Sequence, residues 1–182
     1  MRNEDRIRSG KGLINDVKKN LLSICLQAFK TEPLELLAET PIQAMAVNPD
    51  YVDIKDLPAL FAWVDGIKPS SHSIGQNYTF KRTELIEFHA KIQYIRPYIS
   101  SEDDSDSLDQ VGWELFEYID KNRNLNDIVK METLIPELTT LPMIRNVQGK
   151  LQPVSNVNMR LVFTVIRRKQ LASRRDEIKK YL

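Results

Sequence analysis

Hydrophobic residues recur at helical spacing in two segments of the chain. Over residues 12–29 they fall at intervals of three and four, which collects them on one side of an α-helix. Residues 108–119 repeat this pattern, and we expect that helix to end near residues 122–124. The two apolar stripes are Ile14, Val17, Leu21, Ile24, Cys25 and Ala28 in the first segment, and Leu108, Val111, Leu115, Tyr118 and Ile119 in the second.

Two other segments alternate between apolar and polar residues, as strands do. Residues 86–94 predict a half-buried strand whose solvated face carries His89. The strand is expected to continue back over residues 78–85 as a projecting hairpin. A second strand, with the apolar residues on one face, is predicted over residues 157–165, after a turn at Gln148-Gly149.

A nearly continuous apolar run over residues 57–64 predicts a strand buried on both faces. We expect Pro58 to be its first residue or to lie at an edge, and Asp65-Gly66 to close it with a turn.

Two segments interrupted by prolines are less regular. Residues 40–56 are expected to form a loop or an extended arm, and residues 125–142 to be mostly irregular, with one short strand at most.

The 182 residues are sufficient for one domain with a hydrophobic core. The predicted fold class is α+β, with a small, mainly antiparallel sheet, two main helices packed on one side of it, and a projecting hairpin or loop. We assign residues 1–182 to a single domain, with a flexible N-terminus at residues 1–10 and a basic C-terminal tail at residues 169–182.

Charge and cysteine content narrow the function classes. The chain has 26 Lys and Arg against 25 Asp and Glu, which argues against the uniformly basic surface of a non-specific nucleic-acid binder. Cys25 is the sole cysteine, so no intramolecular disulfide can form, and we place it in the core. No apolar segment is long enough to span a membrane, and the cytoplasm is the expected compartment.

Candidate catalytic and metal-binding residues are few. His72 and His89 have no neighbours in sequence that complete a metal-ligand set. The acidic run at residues 102–106 lacks the glycine and the terminal glutamate of a calcium loop. Because Ser107 and Gln110 fit a capping box, we interpret these acids as a loop that precedes the second helix. No catalytic residue, metal or cofactor is predicted.

The chain resembles the tail-terminator, or minor tail completion, proteins of long-tailed bacteriophages over residues 10–168. Three segments carry the resemblance together with the order of elements: LPALFAWVDG, ELIEFHAKIQYI and NMRLVFTVIRR. The resemblance implies a structural virion protein that forms a ring, usually of six copies. Such a ring caps the tail tube and receives the head-side connector, and it contacts the sheath protein if the tail is contractile.

A ring subunit must present two different surfaces to its neighbours. We therefore expect the interface to use oppositely charged segments, with no role for a membrane or for sequence-specific recognition of nucleic acid. The basic candidates are Lys81 and Arg82 in the hairpin and Arg167, Arg168 and Lys169 near the C-terminus, and the acidic candidates are Glu102, Asp103 and Asp104.

Three alternatives remain open at this point. One is another neck or head-completion connector, or the tube cap of a phage-like contractile injection particle. Another is a small enzyme whose site combines His72 with loop carboxylates. The last is a nucleic-acid adaptor that uses the C-terminal arginines and binds DNA in a steeply salt-dependent way.

Overall fold

The protein folds as two helices and a five-stranded sheet. The computed structural model describes residues 10–30, 39–69, 81–99, 102–122 and 137–170. The sheet order is β1-β2-β3-β5-β4; β1 runs parallel to β2, and the other neighbours are antiparallel, which confirms the predicted α+β class. The elements are α1 Gly10–Ala28, β1 Gln43–Met45, β2 Ala59–Pro69, β3 Lys81–Pro97, α2 Glu102–Lys121, β4 Glu137–Val147 and β5 Lys150–Gln170.

Both helices lie on the same face of the sheet, as the sequence predicted. Their apolar stripes meet the even-numbered residues of β3 and the odd-numbered residues of β5 in one continuous core. Complete burial of a large apolar side chain contributes about 1.5–3 kcal/mol, so this core supplies most of the stability. Its largest fully buried members are Leu21, Ile24, Leu60, Phe88, Ile92, Tyr94, Leu115, Ile119 and Phe163.

Gly112 lets α2 approach the sheet closely. A Cβ atom at this position would lie 2.7 Å from Leu138 Cδ1 and 3.0 Å from Val157 Cγ1, which is closer than packed carbon atoms approach. The glycine therefore sets the distance between α2 and strands β4 and β5.

The opposite face of the sheet, here called the helix-free face, has a smaller apolar cluster at one end. Phe61 and Ile95 are fully buried there, and residues 46–57 cover them as an arm. The arm contains a short 3-10 helix, Pro49–Tyr51, and reaches β4, where the backbone of Ile54 forms a bridge with Val147. The predicted extended arm is thus confirmed, with the addition of the three-residue strand β1.

The prediction of a turn at Asp65-Gly66 is wrong, because β2 continues through both residues to Pro69. The register shifts between Val64 and Gly66, so Asp65 is the extra residue of a β-bulge. Gly66 then pairs with His89 across the strands. The dipeptide Asp-Gly is typical of turns, and the sequence alone does not distinguish a turn from a bulge within a strand.

The second helix begins earlier than predicted. Its first residue is Glu102, so the acidic run forms the first turn of α2, and Ser107 lies inside the helix. Carboxylates in the first turn of a helix interact favourably with the helix dipole, so the acids can start the helix themselves.

Strand β4 supplies the short strand expected within residues 125–142 but continues past Pro142, where the sequence predicted an interruption; residues 125–136 lie outside the described residues. It begins at Glu137 and continues to Val147, where Gln148 (φ 54°) and Gly149 (φ 77°) make the predicted tight turn into β5. Positive φ at both turn residues is typical of a two-residue hairpin, in which the flanking pair Val147 and Lys150 is hydrogen-bonded. Along β4 the N–H groups of alternate residues point toward β5, as that of Val147 does. Pro142 is an odd number of residues away from Val147, so its nitrogen points away from β5, where the missing N–H disrupts no strand pairing.

Candidate functional site

Strands β3 and β5 extend beyond the rest of the sheet as a two-stranded ribbon. β2 pairs with β3 only as far as Ile86, and β4 pairs with β5 only as far as Arg160. Beyond these points, and among the described residues, residues 81–85 pair only with residues 166–170, and this segment is here called the ribbon. The predicted extension of the strand past the core is therefore present from Lys81 onwards, although its partner is β5.

The ribbon brings together the basic candidates from two distant parts of the sequence. Arg82 lies opposite Lys169, Thr83 opposite Arg168 and Glu84 opposite Arg167. Arg167, Arg168 and Lys169 thus belong to a strand, whereas the sequence placed them at the start of a tail. With Lys81, the ribbon contains five basic residues and one acidic residue, which makes it a candidate surface for an anionic partner.

The acidic candidates lie at the other end of β3. A strand rises about 3.3 Å per residue, so the 17 residues of β3 extend over about 50 Å. Glu102 is five residues beyond Pro97, a span of at most about 18 Å. The backbone of Glu102, Asp103 and Asp104 therefore stays more than about 30 Å from Lys81, and the two charged segments cannot pair within one chain.

The middle of the helix-free face is polar but less solvated than predicted. Gln93 is 2% exposed and Asn156 is fully buried, and Gln93 Nε2 donates a hydrogen bond of 3.2 Å to Asn156 Oδ1. Asn156 in turn donates to the carbonyl oxygen of Leu141. The prediction of one solvated face on β3 is wrong at Gln93 because the side chains of Asn156 on β5 and Met143 on β4 lie against it, which strand alternation does not reveal.

His89 is also buried on this face, with 9% exposure. Its Nδ1 lies 3.4 Å from Arg160 Nη2, and its Nε2 lies 3.4 Å from Glu87 Oε1, without the alignment of a hydrogen bond. Within residues 10–30, 39–69, 81–99, 102–122 and 137–170, no three His, Cys, Asp or Glu side chains are grouped closely enough to hold a metal ion. His72 is outside these residues.

A cavity of about 200 Å³ opens beside His89 on the helix-free face. Trp63 and Lys91 are directly paired between β2 and β3, and Lys91 is paired with Arg160 between β3 and β5. Lys91 Nζ lies 2.9 Å from Asp65 Oδ2 at the β-bulge. The cavity is lined by Trp63, Lys91, Ile92, Thr139, Asn158, Met159 and Arg160.

The cations of this cavity act on Asp65. The hydrogen bond from Lys91 and, to a lesser extent, the charges of Lys91 and Arg160 hold the pKa of the Asp65 carboxyl below its ordinary value. Trp63 lies close enough to contribute to this lowering, but its Nε1 makes no hydrogen bond of acceptable geometry. Asp65 is therefore a carboxylate at neutral pH.

Two buried ionisable groups belong to the core. Burial raises the pKa of the Cys25 thiol well above its ordinary value, so the thiol stays protonated, and its predicted place in the core is confirmed. Burial also raises the pKa of Tyr94 to about 12. Its hydroxyl donates to the carbonyl oxygen of Glu39 at 3.1 Å, and its ring stacks on Phe29.

Exposed apolar side chains gather at the end of the sheet opposite the ribbon. Ile144 is 70% exposed and Leu151 is 78% exposed, on neighbouring positions of the β4–β5 hairpin. Tyr98 and Ile99 follow β3 at the same end and are about half exposed. In β2, by contrast, Phe61 is fully buried in the domain and Trp63 lines the cavity.

Local sequence patterns do not reveal the cavity, because its lining residues come from different strands. Trp63, Lys91 and Arg160 come from three strands, and their sequence positions carry no common signal. Alternation assigned Lys91 to the face away from the core, but the register that places Arg160 beside it depends on long-range pairing.

No model of a protein family matches the chain, and no curated protein matches it significantly in sequence. Neither of the two described helices is long and apolar enough to cross a membrane.

Proposed function

We propose that the protein is a structural virion protein, the tail terminator of a long-tailed bacteriophage. In this role copies form a ring, of six subunits by analogy with the family, that caps the tail tube and offers the head-side connector its joining surface. The order of elements supports the proposal, as does the sheet with two helices on one side. The proposal assigns no catalytic residue, metal or cofactor.

The observation that carries the proposal is the separation of opposite charges along β3. The ribbon is basic, the first turn of α2 is acidic, and more than about 30 Å of strand lies between them. Complementary surfaces at opposite ends of one subunit can pair only between copies. Such head-to-tail contacts are heterologous. They generate a ring when the rotations between successive subunits add up to a full turn.

The partners follow from the position of the ring. One surface contacts the tube protein and, in a contractile tail, the sheath protein, while the other contacts the connector. Another neck or head-completion protein, or the cap of a contractile injection particle, would use the same ring geometry, so these stay as alternatives within the proposal.

Native mass spectrometry of charge-reversed variants tests the ring. We expect the wild-type chain to form a closed multimer at high protein concentration, and the combined substitutions Arg167→Glu, Arg168→Glu and Lys169→Glu to dissociate it. Arg167→Glu places a carboxylate at the position paired with Glu84, so circular dichroism spectra of the variant and the wild type should first be compared to show that the variant is folded.

A compensating variant and a control complete the test. Adding Glu102→Lys, Asp103→Lys and Asp104→Lys to the same chain restores complementarity between copies, so the multimer should return. A charge-matched control, Lys19→Glu with Lys30→Glu and Lys55→Glu, changes exposed lysines on α1 and the arm and should assemble normally. Normal assembly of the first variant would contradict the proposed contact.

A further inference from the structure

The apolar side chains at the end of the sheet opposite the ribbon form one surface, here called the hairpin surface, of Ile144, Leu151, Tyr98 and Ile99. Ile144 and Leu151 are strongly exposed, and Tyr98 and Ile99 are about half exposed. Because Leu151 is paired with Asn146, two residues from Ile144, both side chains lie on the same face of the β4–β5 hairpin. Contiguous exposed apolar side chains mark a surface that a partner covers.

The acidic first turn of α2 lies near the hairpin surface. Gly112 lies against the side chain of Leu138, and three residues earlier Asp109 accepts a hydrogen bond from Thr140. Towards its beginning, α2 thus advances along β4 in the direction of Ile144, and its first turn contains the acidic run. A partner that is apolar and basic would therefore complement this end of the subunit.

The sequence that follows the ribbon has this composition. Residues 171–182 contain four basic residues and two acidic ones. Leu171, Ile178 and Leu182 are separated by seven and four positions, the spacing that is typical of one apolar side of a helix. An amphipathic segment of this kind binds by its apolar side, and its basic residues suit an acidic rim.

Residues 171–182 cannot reach the hairpin surface of their own chain. Leu151 and Gln170 are the second and the last residue of β5, and the strand between them extends over about 60 Å at about 3.3 Å per residue. Twelve residues that start at Gln170 span at most about 43 Å, even when fully extended. The segment can therefore cover the hairpin surface of another copy only.

We propose that residues 171–182 of one copy dock on the hairpin surface of the neighbouring copy. The inference rests on the proposed ring, in which the ribbon contacts the acidic first turn of α2 in the next subunit. Gln170 is the last residue of the ribbon, so the segment starts at that contact, close to the hairpin surface. This covalent tether raises the local concentration of the segment at its binding surface. Its apolar residues cover Ile144 and Leu151, and its basic residues lie beside the acidic turn.

Cross-linking between two variants of the whole chain tests the docking. One variant carries Leu151→Cys and the other Ile178→Cys, while the native Cys25 is buried and does not react. The two are mixed, allowed to assemble and treated with a short bismaleimide. We expect a cross-linked dimer that contains one chain of each variant, with the two substituted positions joined in its tryptic peptides. Ile42→Cys, a similarly exposed position beside the edge strand β1, replaces Leu151→Cys in the control and should give no such dimer.

The pattern of cross-links separates this inference from the ring itself. If the mixed dimer is absent while native mass spectrometry still shows the multimer, the docking is refuted and the ring stands. If the multimer is absent as well, both are refuted. Dimers of the Leu151→Cys variant with itself would show that two hairpin surfaces pair with each other, which also contradicts the docking.

Serine substitutions measure how much the docking contributes to assembly. Ile144→Ser with Leu151→Ser should raise the protein concentration at half-assembly about tenfold or more, because two large apolar side chains lose their buried contact. Ile178→Ser with Leu182→Ser should have a similar effect from the other side of the contact. Ile42→Ser is the control and should have none. An unchanged concentration at half-assembly in both double variants would contradict the docking.

Discussion

The two faces of the sheet are made by the same strands, yet they differ in what covers them. Two amphipathic helices cover one face with a continuous apolar core. The helix-free face is covered only at one end, by the arm, and its middle has buried amides and a charged cavity. Burial on the helix-covered face therefore contributes most of the stability of the fold. Polar groups that could bind a ligand or a partner lie on the helix-free face.

The largest expected effect is on the helix-covered face. Phe88 is 1% exposed and is paired with the fully buried Phe163, so Phe88→Ala should lower the free energy of unfolding by about 3–5 kcal/mol. Urea denaturation monitored by circular dichroism measures this loss. Ile144→Ala, at an exposed position, is the control and should change stability by no more than about 0.5 kcal/mol. Similar losses in both variants would contradict the comparison of the faces.

A smaller loss is expected from the buried amides of the helix-free face. Asn156→Ala leaves Gln93 and the carbonyl of Leu141 without their partner, which should cost about 1–3 kcal/mol in the same denaturation experiment. Gln93→Ala and the double variant complete a mutant cycle. If the two losses simply add, the amides do not act as a pair.

The smallest effect concerns Asp65, at the edge of the cavity. Its pKa is lower in the folded protein than in the unfolded chain, so the interaction stabilises the fold above the unfolded pKa of about 4 and is lost as the pH falls through the folded value. Because the Asp65 side chain is 43% exposed, solvent screening limits the contribution to about 0.5 kcal/mol.

Stability curves from pH 7 to pH 2 in low salt measure the Asp65 contribution. Asp65→Asn should flatten the acid limb of the curve slightly, and added salt should remove the difference from wild type. Asp53→Asn, an exposed carboxyl of the arm, is the matched control. An acid limb that does not change with Asp65→Asn would show that the contact with Lys91 has no energetic role.

Local sequence patterns predicted the helices and strands that bury one apolar face and leave the other face polar. The stripes of α1 and α2 and the alternation in β3 and β5 correspond to side chains that the core buries. Prediction failed where distant segments decide the structure. Pro142 is tolerated because β4 is an edge strand, and Gln93 is buried because Asn156 and Met143 lie against it.

The candidate surfaces show the same limit. The acidic and basic residues were found as local runs in the sequence. Arg82 is paired with Lys169, and Lys91 with Arg160, because strands about 70–90 positions apart in the sequence lie side by side. Local runs of sequence cannot reveal this.

Strand β5 is last among the described elements in sequence but lies inside the sheet, between β3 and β4. During synthesis, β3 and β4 both leave the ribosome before the strand that joins them, so each has an open edge until β5 follows. A nascent chain stopped before Lys150 would hold both helices but could not unite the two halves of the sheet. Completion of the sheet is therefore expected to wait until residues 150–170 have been translated, and chaperones would have to protect those unpaired edges until then.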